Sequence, residues 1–123
     1  MSSDRKKLEW IGAARRELQS FPPRARGVAG MNLDLVQDGL EPEDWKPMQS
    51  VGPGARELRI HSFDGGATQH RVIYVVKFPE AVYVLHAFEK KAEQTPLHNI
   101  KVAAARYRQL LAHRDSADLP WRR

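Results

Sequence analysis

His70-Arg71-Val72-Ile73-Tyr74-Val75-Val76-Lys77-Phe78, then Pro79-Glu80, then Ala81-Val82-Tyr83-Val84-Leu85-His86-Ala87-Phe88 is the stretch on which the fold turns. Two β-branched and aromatic runs flank a two-residue proline break, which reads as a pair of strands joined by a tight turn. The continuous apolar run Val72–Val76 suits a strand inside a sheet rather than at its edge. Working towards the N-terminus, Arg56-Glu57-Leu58-Arg59-Ile60-His61 alternates polar and apolar side chains, as a half-buried strand does. Asp64-Gly65-Gly66 supplies the turn between it and the next strand. Short connections make all three strands antiparallel.

The flanks have helical periods. Residues 4–20 place Leu8, Ile11, Ala14 and Leu18 at helical spacing, with Asp4 as a cap and Phe21-Pro22-Pro23 as the stop. Residues 24–38 carry Val28, Met31, Leu35 and Val36 on one stripe and end at Gly39. Residues 40–55, LEPEDWKPMQSVGPGA, form a Pro-rich acidic connector closed by a Gly-Pro-Gly turn. Residues 97–111 form a last helix with Ile100, Ala103, Ala104, Tyr107 and Leu111 inward, and 112–123 is a loose tail. The expected architecture is α+β: an N-terminal helical hairpin packed on a small antiparallel sheet, plus a C-terminal helix. Leu8, Ile11, Leu18, Val28, Leu35, Ile73, Val75, Val84, Leu85, Ile100 and Tyr107 are expected to share one contiguous core.

The 123 residues form a single domain, 1–123, with 41% apolar and 28% charged residues, a globular composition. There is no cysteine, which excludes disulfides, thiolate metal sites and cysteine nucleophiles. No apolar run approaches the roughly 18 residues of a membrane span, and the N-terminus lacks a signal-peptide core, so a cytoplasmic protein without membrane contact is expected. The five histidines make no H-x-x-x-H or H-E-x-x-H motif, and no Walker loop, GxGxxG or G-x-S-x-G is present. The net charge is +5, distributed as +4 over residues 1–30, −4 over 31–50, +2 over 51–78 and +3 over 79–123. A basic balance of this kind attracts phosphate polymers or acidic partners.

Strand alternation puts Arg59 and His61 on the face opposite Leu58 and Ile60. Arg71 opens the next strand, Lys90 and Lys91 follow the third, and His86 is expected on the face of Val82, Val84 and Phe88. Cations gathered at the end of a sheet bind phosphate oxygens, with arginine doing so bidentately. The plainer expectation is internal pairing, Arg59 with Glu57 or a connector acid and Arg71 with Glu89.

Glu57-Leu58-Arg59, His70-Arg71-Val72-Ile73-Tyr74, Val82-Tyr83-Val84-Leu85-His86-Ala87-Phe88-Glu89-Lys90-Lys91, Thr95-Pro96 and Arg106-Tyr107 follow one another in an order that resembles the phage-derived HigB-like branch of the RelE/ParE toxin superfamily. The resemblance spans roughly residues 8–111, with VLHAF-x-KK followed by TP as its most specific part and LEWIG matching the family's opening helix. It implies the toxin of a type II toxin–antitoxin pair that cleaves mRNA, generally at the ribosome, and is neutralised by a cognate helix-turn-helix, HigA-like antitoxin. It places Arg59 against the RNA, Arg71 at the scissile phosphate and Lys91, beside Lys90, at the leaving group. Arg56, His61, Lys77 and Lys90 are expected as further RNA contacts. The late catalytic tyrosine common in RelE-type toxins has no clear counterpart after Lys91, and an arginine at 59 is a poor base because it stays protonated. His86, or else His61, is then the candidate for proton removal. Such cleavage uses the substrate 2′-OH as nucleophile and requires no metal or other cofactor. The alternatives are a non-hydrolytic toxin that binds a protein such as DNA gyrase, and an inactive phage remnant that only binds an antitoxin.

Overall fold

The computed structural model describes residues 5–61, 68–91 and 95–117. The chain order is β1 (Lys7–Trp10), α1 (Ala14–Gln19), α2 (Pro23–Gln37), β2 (Trp45–Pro47), β3 (Ala55–Ile60), β4 (Gln69–Val75), β5 (Ala81–Lys90) and α3 (Leu97–Ala117). The expected cap Asp4, the Asp64–Gly66 turn and the final residues 118–123 lie outside the described residues.

The α+β class holds, and β3, β4 and β5 are antiparallel neighbours as their short connections require. The sheet is nevertheless mixed and five-stranded, in the order β1-β5-β4-β3-β2. The N-terminal helical hairpin is corrected: the described residues open on strand β1, which takes part of the expected first helix, because Leu8 and Trp10 fit period 2 as well as Leu8 and Ile11 fit a helix. β1 pairs in parallel with β5, Leu8 opposite Val82 and Trp10 opposite Val84. Gly12, at φ +59°, turns the chain between β1 and α1 in a conformation that other residues rarely adopt. The connector contributes β2, antiparallel to β3, which becomes the other edge.

Both faces of the sheet are covered, so the single expected core is two. Ala14, Leu18, Phe21, Ala25, Ala29, Leu33 and Val36 pack on Leu58, Ile60, Val72, Tyr74, Val82 and Val84 on one side. Ala103, Tyr107 and Leu110 pack on Met48, Val51, Ala55, Ile73, Val75, Tyr83 and Leu85 on the other. In α2 it is the Ala25/Ala29/Leu33/Val36 stripe that faces the sheet, while Met31 is 50% exposed. The two alanines let the helix lie close to the strands, which the bulkier stripe does not. Asn32, also buried, accepts a hydrogen bond from the Glu43 backbone N–H at 2.8 Å and ties α2 to the connector.

α3 runs past its expected end at Leu111 and continues to Ala117, so residues 112–117 are helix rather than tail. Arg114 holds this end, donating to Glu80 at 2.6 Å and lying 3.8 Å over the Phe78 ring. Tyr107 donates its hydroxyl to the Pro53 carbonyl at 2.6 Å, joining α3 to the Gly-Pro-Gly turn. Among the described residues no helix is long and apolar enough to cross a membrane.

Candidate functional site

Cross-strand register assembles the site. Glu57 faces Ile73 and Ile73 faces His86; Arg59 faces Arg71 and Arg71 faces Phe88; Gln69 faces Lys90. On the outer side of β3, Lys46 lies opposite Glu57. One residue earlier the Arg59 backbone N–H donates to the Asp44 carbonyl at 2.8 Å, which sets Asp44 beside Arg59. Period 2 therefore turns Lys46, Glu57, Arg59, Arg71 and Lys90 to the same face.

The floor of this face is buried and charged. Glu57 is 0%, Lys90 2% and Arg71 4% exposed. The Glu57 carboxylate accepts a hydrogen bond from the Thr95 hydroxyl at 2.5 Å and lies 3.4 Å from Arg71 Nε and 3.7 Å from Lys46 Nζ. Arg71 is held by its own strand, donating to the Gln69 side chain at 2.6 Å and to the His70 carbonyl at 3.3 Å. Lys90 has no carboxylate within ion-pair distance among the described residues. Burial, then the Arg71 charge, push its ammonium below the usual lysine pKa, with Lys46 and Arg59 adding to the effect and Glu57 opposing it. Burial also lowers the Arg71 pKa, partly offset by Glu57, although a guanidinium stays charged. Thr95 leads into α3, whose positive helix end therefore starts beside the cluster.

The rim is more open. Arg59 donates to Asp44 Oδ1 through Nη2 at 2.7 Å and Nε at 3.0 Å, and His61 Nε2 lies 2.5 Å from Asp44 Oδ2. Burial works against the ionised Asp44, but His61 and Arg59 outweigh it and its pKa is lowered. Arg59 thus pairs with a connector acid, as the plainer expectation had it. Arg71 pairs with Glu57 instead of Glu89, which lies 3.5 Å from His70.

Of the residues expected to act, Arg59, Arg71, Lys90 and His61 are brought together. Lys91 is not: it is exposed and follows the end of β5. Arg56 lies on the opposite face of β3, 4.0 Å over the Trp45 ring and 3.5 Å from Glu41. Lys77 is exposed beyond the far end of β4, beside the Phe78 ring. His86 does not share a face with Val82 and Val84. A bulge pairs Ile73 with His86 but Tyr74 with Val84, leaving Leu85 extra and turning His86 toward α3 with Phe88, on which it stacks at 4.9 Å. There both ring nitrogens are engaged, Nδ1 with Glu17 at 2.9 Å and Nε2 with Asn99 at 2.7 Å. Arg106 completes this second cluster, donating to Glu17 at 2.7 and 2.9 Å and to the Leu85 carbonyl at 2.9 Å.

Lys46 and Asp44 were not named from the sequence, while Glu57 entered only as a pairing partner for Arg59 and Thr95 only within the Thr-Pro motif. Glu57 had a signal, an acid at the centre of an otherwise core-forming strand, and Asp44 had none beyond its place in the acidic connector.

The fold and this face define a small α+β protein whose sheet ends in a cation-rimmed, partly buried polar cluster able to bind phosphate oxygens and move a proton. The family model described as Phage derived protein Gp49-like (DUF891) matches residues 16–108, and the chain belongs to that family. Gp49-like proteins are relatives of the RelE/ParE-type toxins. No curated protein matches the chain.

Proposed function

We propose that this Gp49-like protein is a HigB-like toxin of a type II toxin–antitoxin pair, an endoribonuclease that cleaves mRNA at the ribosome and is held in check by a helix-turn-helix antitoxin. The observation that carries the reading is the convergence of Lys46, Arg59, Arg71 and Lys90 on one sheet face around a single buried carboxylate, Glu57. Family membership supports it, because RelE/ParE-type toxins are the relatives of this family.

The substrate 2′-OH attacks the adjacent phosphorus and displaces the 5′-oxygen, leaving a 2′,3′-cyclic phosphate and a 5′-OH. The phosphorane gathers negative charge on its non-bridging oxygens, so cations fixed in advance stabilise it more than the ground state. Arg59 and Lys46, on the open rim, meet the phosphate. Arg71, locked in the floor, holds positive potential beneath it. Lys90 takes the role expected of Lys91: its acidified ammonium protonates the departing oxygen.

The test is cleavage of mRNA on translating ribosomes by the purified full chain. The expected products carry 2′,3′-cyclic phosphate ends and form equally well with chelator present. Growth arrest with intact mRNA and broken DNA would replace the nuclease by a protein-binding toxin, and an absence of arrest would leave an antitoxin-binding remnant.

A further inference from the structure

From the geometry of the rim we infer that Asp44 and His61 form a dyad, in which Asp44 positions His61 as the general base that takes the 2′-OH proton. This rests on the nuclease reading above and adds to it the group that reading lacks.

Four observations carry it. Asp44 is fixed at both ends, its carbonyl by the Arg59 backbone N–H at 2.8 Å and its Oδ1 by the Arg59 guanidinium at 2.7 and 3.0 Å. The remaining oxygen, Oδ2, meets His61 Nε2 at 2.5 Å. An ionised carboxylate only accepts, so in the neutral imidazole Nε2 carries the proton and Nδ1 keeps its lone pair. Finally, the His61 side chain is 63% exposed, in contrast to His86, both of whose ring nitrogens are occupied inside the protein.

The dyad also has the right neighbours. His61 follows Ile60, which pairs with His70, at the same end of the sheet where Gln69 faces Lys90. Base and acid thus flank β4 from β3 and β5, roughly two strand spacings or about 10 Å apart. An in-line displacement needs its base and its acid on opposite sides of the phosphorus, and a gap of this width leaves room for a phosphate between them. Among the described residues, the charged groups that face the imidazole are Asp44, just before β2, and Arg59 of β3, with Arg71, Lys90, Lys46 and buried Glu57 further in. In the step itself the O2′–H bond gives its proton to Nδ1, the O2′–P bond forms, and the P–O5′ bond breaks as O5′ takes a proton from Lys90.

Two measurements on the full chain test it. Histidine ¹⁵N spectra of the protein should show His61 in the Nε2–H tautomer, and Asp44→Asn should turn it into a mixture. In RNA cleavage, His61→Ala should lower kcat about 100-fold or more. Asp44→Asn should lower kcat about tenfold with KM nearly unchanged, and Asp44→Glu should recover part of the loss. Melting curves confirm that each variant is folded. Wild-type cleavage with unaltered rates in both Asp44→Asn and His61→Ala overturns this inference and leaves the nuclease standing. A faster Asp44→Asn overturns it too, since the carboxylate would then be competing with phosphate for Arg59. A wild-type chain that cuts no RNA removes the nuclease reading and the base with it, whatever the tautomer.

Discussion

Lys90 and Glu57 show what a buried charge does in this protein. An ammonium that is 2% exposed and feels the Arg71 charge costs folding free energy, and it stands where an apolar side chain would pack without that cost. Lys90→Met should therefore lose cleavage about 100-fold or more while its stability at neutral pH falls by no more than about 1 kcal/mol. Because its folded-state pKa lies below that of the unfolded chain, the protonated form is the penalised one. Wild type should gain stability as pH rises through the lowered pKa toward the free-lysine value of 10.5, and Lys90→Met should not. Denaturant midpoints of the two proteins across alkaline pH check this. Glu57 is the converse case. Glu57→Gln keeps the shape and removes the buried carboxylate that pairs with Arg71 and Lys46, leaving those cations uncompensated. A loss of roughly 3 kcal/mol is expected in urea unfolding, against a small one for Thr95→Val, which removes only a hydrogen bond.

Among elements, α1, β5 and α3 are tied by one carboxylate. Glu17 receives both Arg106 bonds, faces His86 Nδ1 and accepts from the Ala87 N–H at 3.3 Å. Burial opposes its ionisation, but Arg106 and His86 outweigh that and bring its pKa from 4.5 down to about 2. A depressed carboxylate contributes stability that is complete above the unfolded pKa and fades as pH falls through the folded one. The strut should thus weaken between pH 4.5 and about 2. Glu17→Gln should cost about 3 kcal/mol at pH 7 and flatten the acid limb of the stability curve in that window, as read by melting at a series of pH values. The same elements show which parts of the fold are legible in sequence. β3 to β5 and α3 announce themselves because their periods are long and unbroken. β1 does not, since four residues with Leu8 and Trp10 satisfy two periods at once and only the distant partner β5 decides between them. β2 is three residues inside a Pro-rich connector, stabilised by β3 alone. The bulge at Leu85 leaves no mark in composition, yet it is what moves His86 from the expected face to the α3 cluster. Arg59 and Arg71 were readable from alternation because no bulge intervenes between them, whereas Asp44 reaches the site through a pairing that the sequence does not display.

For the whole molecule, what matters is where the two helical layers stop. α1 and α2 close one face of the sheet, and α3 crosses the other from Thr95, at Glu57, to Arg114, at Glu80. The sheet end that carries Arg59 and Lys46 is therefore left as the accessible edge of an otherwise covered layer, while Arg15 and Arg16 are exposed on α1. Net charge alone, +5, does not say which of these basic regions meets RNA. Salt dependence does. Each phosphate contact to a single strand contributes about 0.7 to the slope of log K against log salt. Arg59→Ala and Lys46→Ala should each lower that slope by about this amount and weaken binding uniformly across sequences. Arg15→Ala and Arg16→Ala should leave the slope as it is. Binding of a short, uncleavable 2′-deoxy-substituted RNA, followed across a salt series by fluorescence anisotropy, separates the two regions without depending on turnover. A slope that falls only for Arg15→Ala and Arg16→Ala would move the RNA to the helical side and leave the cation cluster on the sheet as an internal ion-pair network.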